Sequence, residues 1–193
     1  MMHPVLKIIP NVSWLFLSAY WLWSARKTKM VSYQENFLKR VLSYWLPLIV
    51  AVLLLGPGEW FGHSLLREQF VPHSDLIGGI GGVCCLVGLL IACNARYCLG
   101  KNWSLSVQLK ERHELITSGP YRYVRHPIYT GLLLLFTGNA LVVGDWRGVL
   151  AVVIIFVSLW LKLRTEERWL SNYFGVAYIN YKAKTNAIIP WLL

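Results

Sequence analysis

Five nearly continuous runs of hydrophobic residues, at positions 8–23, 41–55, 76–95, 127–143 and 148–163, are separated by gaps that hold most of the charge. A helix that crosses a bilayer needs about 20 residues, with a working range near 17–25. The shorter runs therefore have to recruit flanking aromatic residues or sit in locally thinned bilayer. The third run holds Gly78, Gly79, Gly81, Gly82 and Gly88, small residues that allow close helix–helix approach in lipid. Only GDWRG, residues 144–148, parts the fourth run from the fifth, which predicts an antiparallel helical hairpin. The pattern as a whole predicts an all-α, polytopic membrane protein. It has five transmembrane helices, the last two a hairpin, plus short C-terminal helices and a pocket on the cytoplasmic side.

The gaps differ in charge. The first holds Arg26, Lys27, Lys29, Lys39 and Arg40, and the second only Arg67. The third holds Arg96, Lys101, Lys110, Arg112, Arg122 and Arg125, and the fourth Arg147 alone. The C-terminal tail adds Lys162, Arg164, Arg168, Lys182 and Lys184. Loops rich in Lys and Arg stay cytoplasmic. The odd gaps and the C-terminus are thus expected in the cytoplasm, and the N-terminus, with Lys7, outside.

Composition agrees with the pattern. Of the 193 residues 56% are hydrophobic and 15% charged, and the mean hydropathy is +0.48. Soluble domains sit near 45–50% apolar and about 25% charged. Ten tryptophans and ten tyrosines suit membrane–water interfaces. A net charge of +10 would suit nucleic acid, but the basic residues cluster between apolar runs, so no nucleic-acid partner is expected. Cys84, Cys85, Cys93 and Cys98 lack the paired CxxC spacing of zinc sites and read as small packing residues, with no metal expected. The first run ends in Arg26, Lys27 and Lys29 instead of a small-residue cleavage site, which argues against a signal peptide. At this length one membrane domain, 1–193, is expected, with three spans in 1–95 and the chemistry in 96–193.

Two polar clusters converge through the hairpin. The first is GPYRYVRHPIYTG, residues 119–131. Pro127 suits the first position of helix four, where its missing N–H costs nothing, and the free amides of that helix start favour an anionic group. His126 titrates near neutrality. For Arg122 and Tyr123, anchoring to lipid headgroups is an equal reading. The second cluster, Arg164-Thr165-Glu166-Glu167, continues helix five. Helical spacing puts Glu167 on one face with Trp160, Leu163 and Leu170, toward the core or a pocket, with Glu166 about 100° away. The alternative for both carboxylates is surface pairing, worth about 0–1 kcal/mol. Beyond them, Phe174-Gly175 reads as a helix end. A short amphipathic helix with Tyr178 and Tyr181 follows, lying on the membrane surface and closing the pocket.

The combination GPY-x(4)-HP-x-Y with EE-x(2)-L-x(3)-FG-x(2)-Y-x(2)-Y, ending in a terminal IP, resembles the isoprenylcysteine carboxyl methyltransferase family, and in particular a compact prokaryotic, archaeal member. The resemblance covers residues 99–190. It implies an integral membrane enzyme that moves a methyl group from S-adenosylmethionine, leaving S-adenosylhomocysteine, to the carboxylate of a C-terminal prenylated cysteine or a related prenyl thioether acid. The lipid-like substrate would enter laterally from the bilayer. Carried over by motif, the cofactor-binding residues are Gln108, His113, Glu114, Leu115, Ile116, Tyr121, His126, Pro127, Ile128, Tyr129 and a glutamate of the Glu166-Glu167 pair. Arg164 would hold the substrate carboxylate, with Lys162 as the alternative, and Arg164 and Glu167 would be the catalytic pair. Two rival activities remain open: phospholipid or amine N-methylation with the same donor, and NADPH-dependent sterol or isoprenoid reduction.

Overall fold

The computed structural model describes residues 2–26, 31–34, 36–103, 108–110 and 114–190, and of residues 31–34 and 108–110 the backbone alone. Its helices are α1 (Pro4–Ala25), α2 (Phe37–Arg40), α3 (Leu46–Leu54), α4 (Asp75–Leu99), α5 (Pro127–Val143), α6 (Trp146–Phe174) and α7 (Val176–Lys184). A π-helical stretch, Val41–Trp45, joins α2 to α3, so that Phe37–Leu54 is a single apolar helix. Among the described residues, four helices are long and apolar enough to cross a membrane, and α5 is a fifth, shorter apolar helix. This is an integral, multi-pass membrane protein.

Local chemistry sets the helix ends. The Ser74 hydroxyl accepts from the Ile77 amide at 3.3 Å and caps α4. Pro127 opens α5 as expected. Gly144 closes it at φ 74°, a left-handed turn that glycine adopts without penalty, and α6 begins two residues later. Gly175, at φ 55°, ends α6.

The central packing is between α4 and α5, where glycines face each other. A Cβ on Gly131 would sit 2.6 Å from the Gly88 carbonyl oxygen, and one on Gly88 would sit 2.9 Å from Leu134 Cβ. Helix α1 packs on α4, and α3 and α5 pack on α6. Backbone pairing ties the gaps together by parity. Strand β1 (Val31–Gln34), in the first gap, pairs antiparallel with β2 (Gln108–Lys110), in the third, with Gln34 opposite Gln108. The hydrophobic pattern does not predict this ribbon, because neither strand is long enough to show alternation. At the other end, the Phe70 amide of the second gap bonds the Gly144 carbonyl at 3.0 Å, and the Trp146 amide bonds the Glu68 carbonyl at 3.0 Å. Five alternating spans require this separation.

The second end is closed by a buried charge. Arg147 Nε donates to Asp145 Oδ2 at 2.9 Å, and Nη1 donates to the Leu54 carbonyl at 2.9 Å and to that of Gly56. One guanidinium thus satisfies the carbonyls at the α3 terminus.

Gly131→Ala is expected to force α4 and α5 apart and to cost about 1–3 kcal/mol, the usual range for overpacking. Thermal unfolding of the detergent-solubilised variant, followed by circular dichroism, measures the loss.

Candidate functional site

The α5–α6 hairpin brings the two polar clusters together, and the C-terminal segment straps them down. The chain at 124–126 runs beside 186–187: Val124 bridges to Asn186 in parallel, the Arg125 amide bonds the Asn186 carbonyl at 2.8 Å, and the His126 amide bonds that of Ala187 at 2.9 Å. Thr130 Oγ1 donates to the Ile188 carbonyl at 2.6 Å, and Tyr181 OH donates to the Tyr121 carbonyl at 2.6 Å.

Inside this strap lie both glutamates. Glu167 is 6% exposed. Its Oε1 accepts from Arg125 Nε at 2.6 Å, and its Oε2 pairs with Lys182 Nζ at 2.6 Å. Arg125 also donates to the carbonyls of Lys182 and Thr185. Glu166 Oε2 accepts from Tyr129 OH at 2.6 Å. The His126 ring stacks on Tyr129 with centroids 5.2 Å apart. It sits between the carboxylates, Nδ1 3.5 Å from Glu166 Oε2 and Nε2 3.5 Å from Glu167 Oε1. Burial by itself disfavours the imidazolium, but the two carboxylates outweigh it, so the His126 pKa is raised above 6.5.

A cavity of about 230 Å³ opens from this cluster. Tyr121, Arg125, His126, Tyr129, Lys162, Glu166 and Asn102 line its polar end, and Leu48, Leu132, Phe136, Ile155 and Leu159 its apolar end. Trp21 and Trp103 also line it, their ring centroids 5.6 Å apart; Arg96 lies 4.4 Å over the Trp103 ring and donates to the Ser24 carbonyl at 2.7 Å.

Of the residues expected from the motifs, Tyr121, His126, Ile128, Tyr129 and Glu166 line this cavity. Pro127 is fully buried behind it. Glu167 lines an outer groove with Arg164, Arg168, Ser171, Asn172 and Lys182. Arg164 is exposed, its guanidinium 5.4 Å from the Trp160 ring, whereas Lys162 lines the cavity, with Nζ 5.4 Å from the Tyr129 ring. Of the upstream stretch, Glu114 is exposed, Leu115 half-buried, and Ile116 packed on the core. His113 and the side chain of Gln108 lie outside the described residues. Motif reading missed Asn102, Tyr44, Trp45 and Ser158, which line the cavity from positions outside the two motifs. Asn102 had a signal, a lone amide next to Trp103 just beyond a long apolar run.

Glu167→Ala leaves Arg125 buried without its carboxylate and is expected to cost about 3–5 kcal/mol, read as a lower midpoint of thermal unfolding in detergent. The charged His126 contributes stability that is complete below about pH 6.5, the free imidazole value. It is lost as pH rises through the higher folded-state value. The wild-type midpoint should therefore fall as pH rises above about 6.5, and fall less in His126→Gln.

The family model described as phospholipid methyltransferase matches residues 77–177, just over half of the chain. A protein-S-isoprenylcysteine O-methyltransferase of Schizosaccharomyces pombe is 27% identical over 191 residues, which is 93% of this chain and 80% of that protein. Protein-S-isoprenylcysteine O-methyltransferase A of Arabidopsis thaliana is 26% identical over 143 residues, 72% of either chain. Methanethiol S-methyltransferase 1 of Bradyrhizobium diazoefficiens is 35% identical over 71 residues, 37% of this chain and 24% of that one. The resemblance to the isoprenylcysteine carboxyl methyltransferases holds, and the chain belongs to the phospholipid methyltransferase family as a membrane-embedded methyltransferase.

Proposed function

We propose that this enzyme methylates the carboxylate of a C-terminal prenylated cysteine, or of a related prenyl thioether acid, with S-adenosylmethionine as donor. The observation that carries the reading is a continuous cavity with a carboxylate, an imidazole and tyrosines at one end and apolar helix faces at the other. The names of the S. pombe and A. thaliana relatives favour this acceptor over an amine, and methyl transfer over reduction.

The residues present fit the donor. Trp21 Nε1 and Asn102 Oδ1 are buried without a hydrogen-bond partner, and both belong to residues that line the cavity. Buried polar atoms are otherwise paired, so these fit a polar ligand. Glu166, with Asn102, His126, Tyr121, Tyr129 and Ile128, would hold it. Glu167, saturated by Arg125 and Lys182, would position the loop that carries His126. A carboxylate suits ribose hydroxyls or an ammonium, and aromatic faces attract a sulfonium. When bound, S-adenosylmethionine supplies an already activated methyl group.

The protein's part is then placement. A carboxylate acceptor is ionised at neutral pH and needs no general base, so rate comes from alignment of two held partners. Lys162, one helical turn before Glu166, lines the cavity and would receive the acceptor carboxylate in place of Arg164. An amine acceptor would meet that charge unfavourably. In this reading the whole chain is one catalytic unit, with 96–193 bearing the chemistry and 1–95 the walls. The Lys/Arg-rich first and third gaps, tied by the β1–β2 ribbon, support a cytoplasmic site and an external N-terminus.

Titration calorimetry of the detergent-purified protein should detect S-adenosylhomocysteine and S-adenosylmethionine but not NADPH. Glu166→Ala should weaken both by about tenfold or more, the scale of a lost charge-assisted hydrogen bond. Lys162→Ala should leave adenosyl affinity within about twofold and raise the acceptor KM, the signature of lost acceptor binding. Binding of NADPH alone overturns the proposal.

A further inference from the structure

Among the residues that line the cavity, one is exposed. Trp45 is 38% exposed and yet contributes to the cavity wall beside Tyr44 and Leu48. Its neighbours on the outer surface, Leu42, Leu46 and Ile49, are apolar and exposed, as befits a lipid-facing helix. Trp45 therefore stands where the apolar end of the cavity comes nearest to the hydrocarbon.

The reason lies in the sequence. Pro47 has no amide to give to the carbonyl four residues earlier, and its ring crowds that carbonyl, which belongs to Ser43. The helix widens to a π turn over Val41–Trp45, closed by a bond from the Leu46 amide to the Val41 carbonyl. The Ser43 carbonyl takes its hydrogen bond from outside, from Ser158 Oγ of α6 at 2.7 Å. The widened turn brings two consecutive aromatic residues to one cavity: Tyr44 is buried beside Lys162, and Trp45 stands at the margin. Single π turns of this kind occur inside α-helices at functional sites.

We propose that Trp45, positioned by the Pro47 π turn and its Ser158 tether, selects the acceptor by its hydrocarbon chain at a lateral mouth between the Phe37–Leu54 helix and α6. The inference rests on the prenyl thioether acid reading above and adds the residue that sets chain length. A chain too long to coil within the cavity has to pass the indole, and a shorter one stays behind it.

The test measures methylation of N-acetyl-S-geranyl-, S-farnesyl- and S-geranylgeranyl-L-cysteine by the purified full chain in detergent. Wild type, Trp45→Ala, Trp45→Phe and Ser158→Ala are compared, with S-adenosylhomocysteine affinity measured alongside. Wild type is expected to discriminate among the three acids, and Trp45→Ala to change the ratio of kcat/KM between the shortest and longest chain by about tenfold, the scale of a few methylenes in an apolar pocket. Trp45→Phe should lie between, and Ser158→Ala should shift the ratio the same way with a smaller amplitude. Adenosyl affinity should stay within about twofold in all of them, since the change lies at the apolar end. An unchanged ratio in both Trp45 variants, with methylation and adenosyl binding intact, overturns the inference and leaves the proposed function standing. Methylation of none of the three acids by wild type, with adenosyl binding retained, overturns both the acceptor assignment and this inference. If Trp45→Ala does not fold, the ratio in Trp45→Phe and Ser158→Ala decides.

Discussion

The Glu167 carboxylate, gripped by Arg125 and Lys182 at 2.6 Å each, is the interaction on which the site depends. It joins three pieces of chain: α6 beyond its apolar stretch, the loop before α5, and α7. A buried carboxylate is costly unless its oxygens are fully engaged, and here both are. The bond from Arg125 to the Thr185 carbonyl extends the grip to the C-terminal strap. The backbone at 125–126 is thereby held against 186–187, and His126 and Tyr129 are aimed at the cavity. Glu166, outside that grip, meets Tyr129 and His126 instead and lines the cavity. Two adjacent glutamates thus end up in different surroundings, Glu167 in the ion-paired strap and Glu166 at the cavity wall, because helical geometry turns them about 100° apart.

The membrane imposes a second constraint. Backbone groups in hydrocarbon must be satisfied inside the protein, and the fold meets this by pairing the gaps at each end separately. Arg147 and Asp145 close one end around the α3 carbonyls. The strap and the β1–β2 ribbon close the other. Glycine contacts between α4 and α5 bring two helices close enough that the cavity forms between α5, α6 and the Phe37–Leu54 helix instead of between α4 and α5. Where Pro47 breaks the rule of internal satisfaction, a serine from a neighbouring helix restores it.

The five spans, the hairpin and the helix end at Gly175 were legible in the sequence because each rests on local signals: uninterrupted apolar length, a five-residue connection, and a Phe-Gly stop. The paired motifs and their convergence were legible too, since a tight hairpin admits no other arrangement of its two ends. Helical spacing also gave the burial of Glu167 correctly. It did not show that burial would mean ion pairing, leaving the cavity to Glu166, for that depends on where Arg125 and Lys182 come to lie.

The same limit separates Lys162 from Arg164. Two residues apart on a helix, they are equivalent as motif positions, and only the packing of α6 against α3 and α5 makes one face the cavity and the other the outside. Tyr44, Trp45 and Ser158 were invisible for a related reason: their place at the cavity comes from helices meeting across dozens of residues, with no motif to mark them. The sequence by itself determined the membrane class, the apolar spans and the polar stretches that converge beside the cavity, because those are properties of contiguous segments and a short connection. Which side chain of each pair faces the cavity was decided by tertiary structure alone, because it is set by the rotation of each helix about its own axis, and packing fixes that rotation.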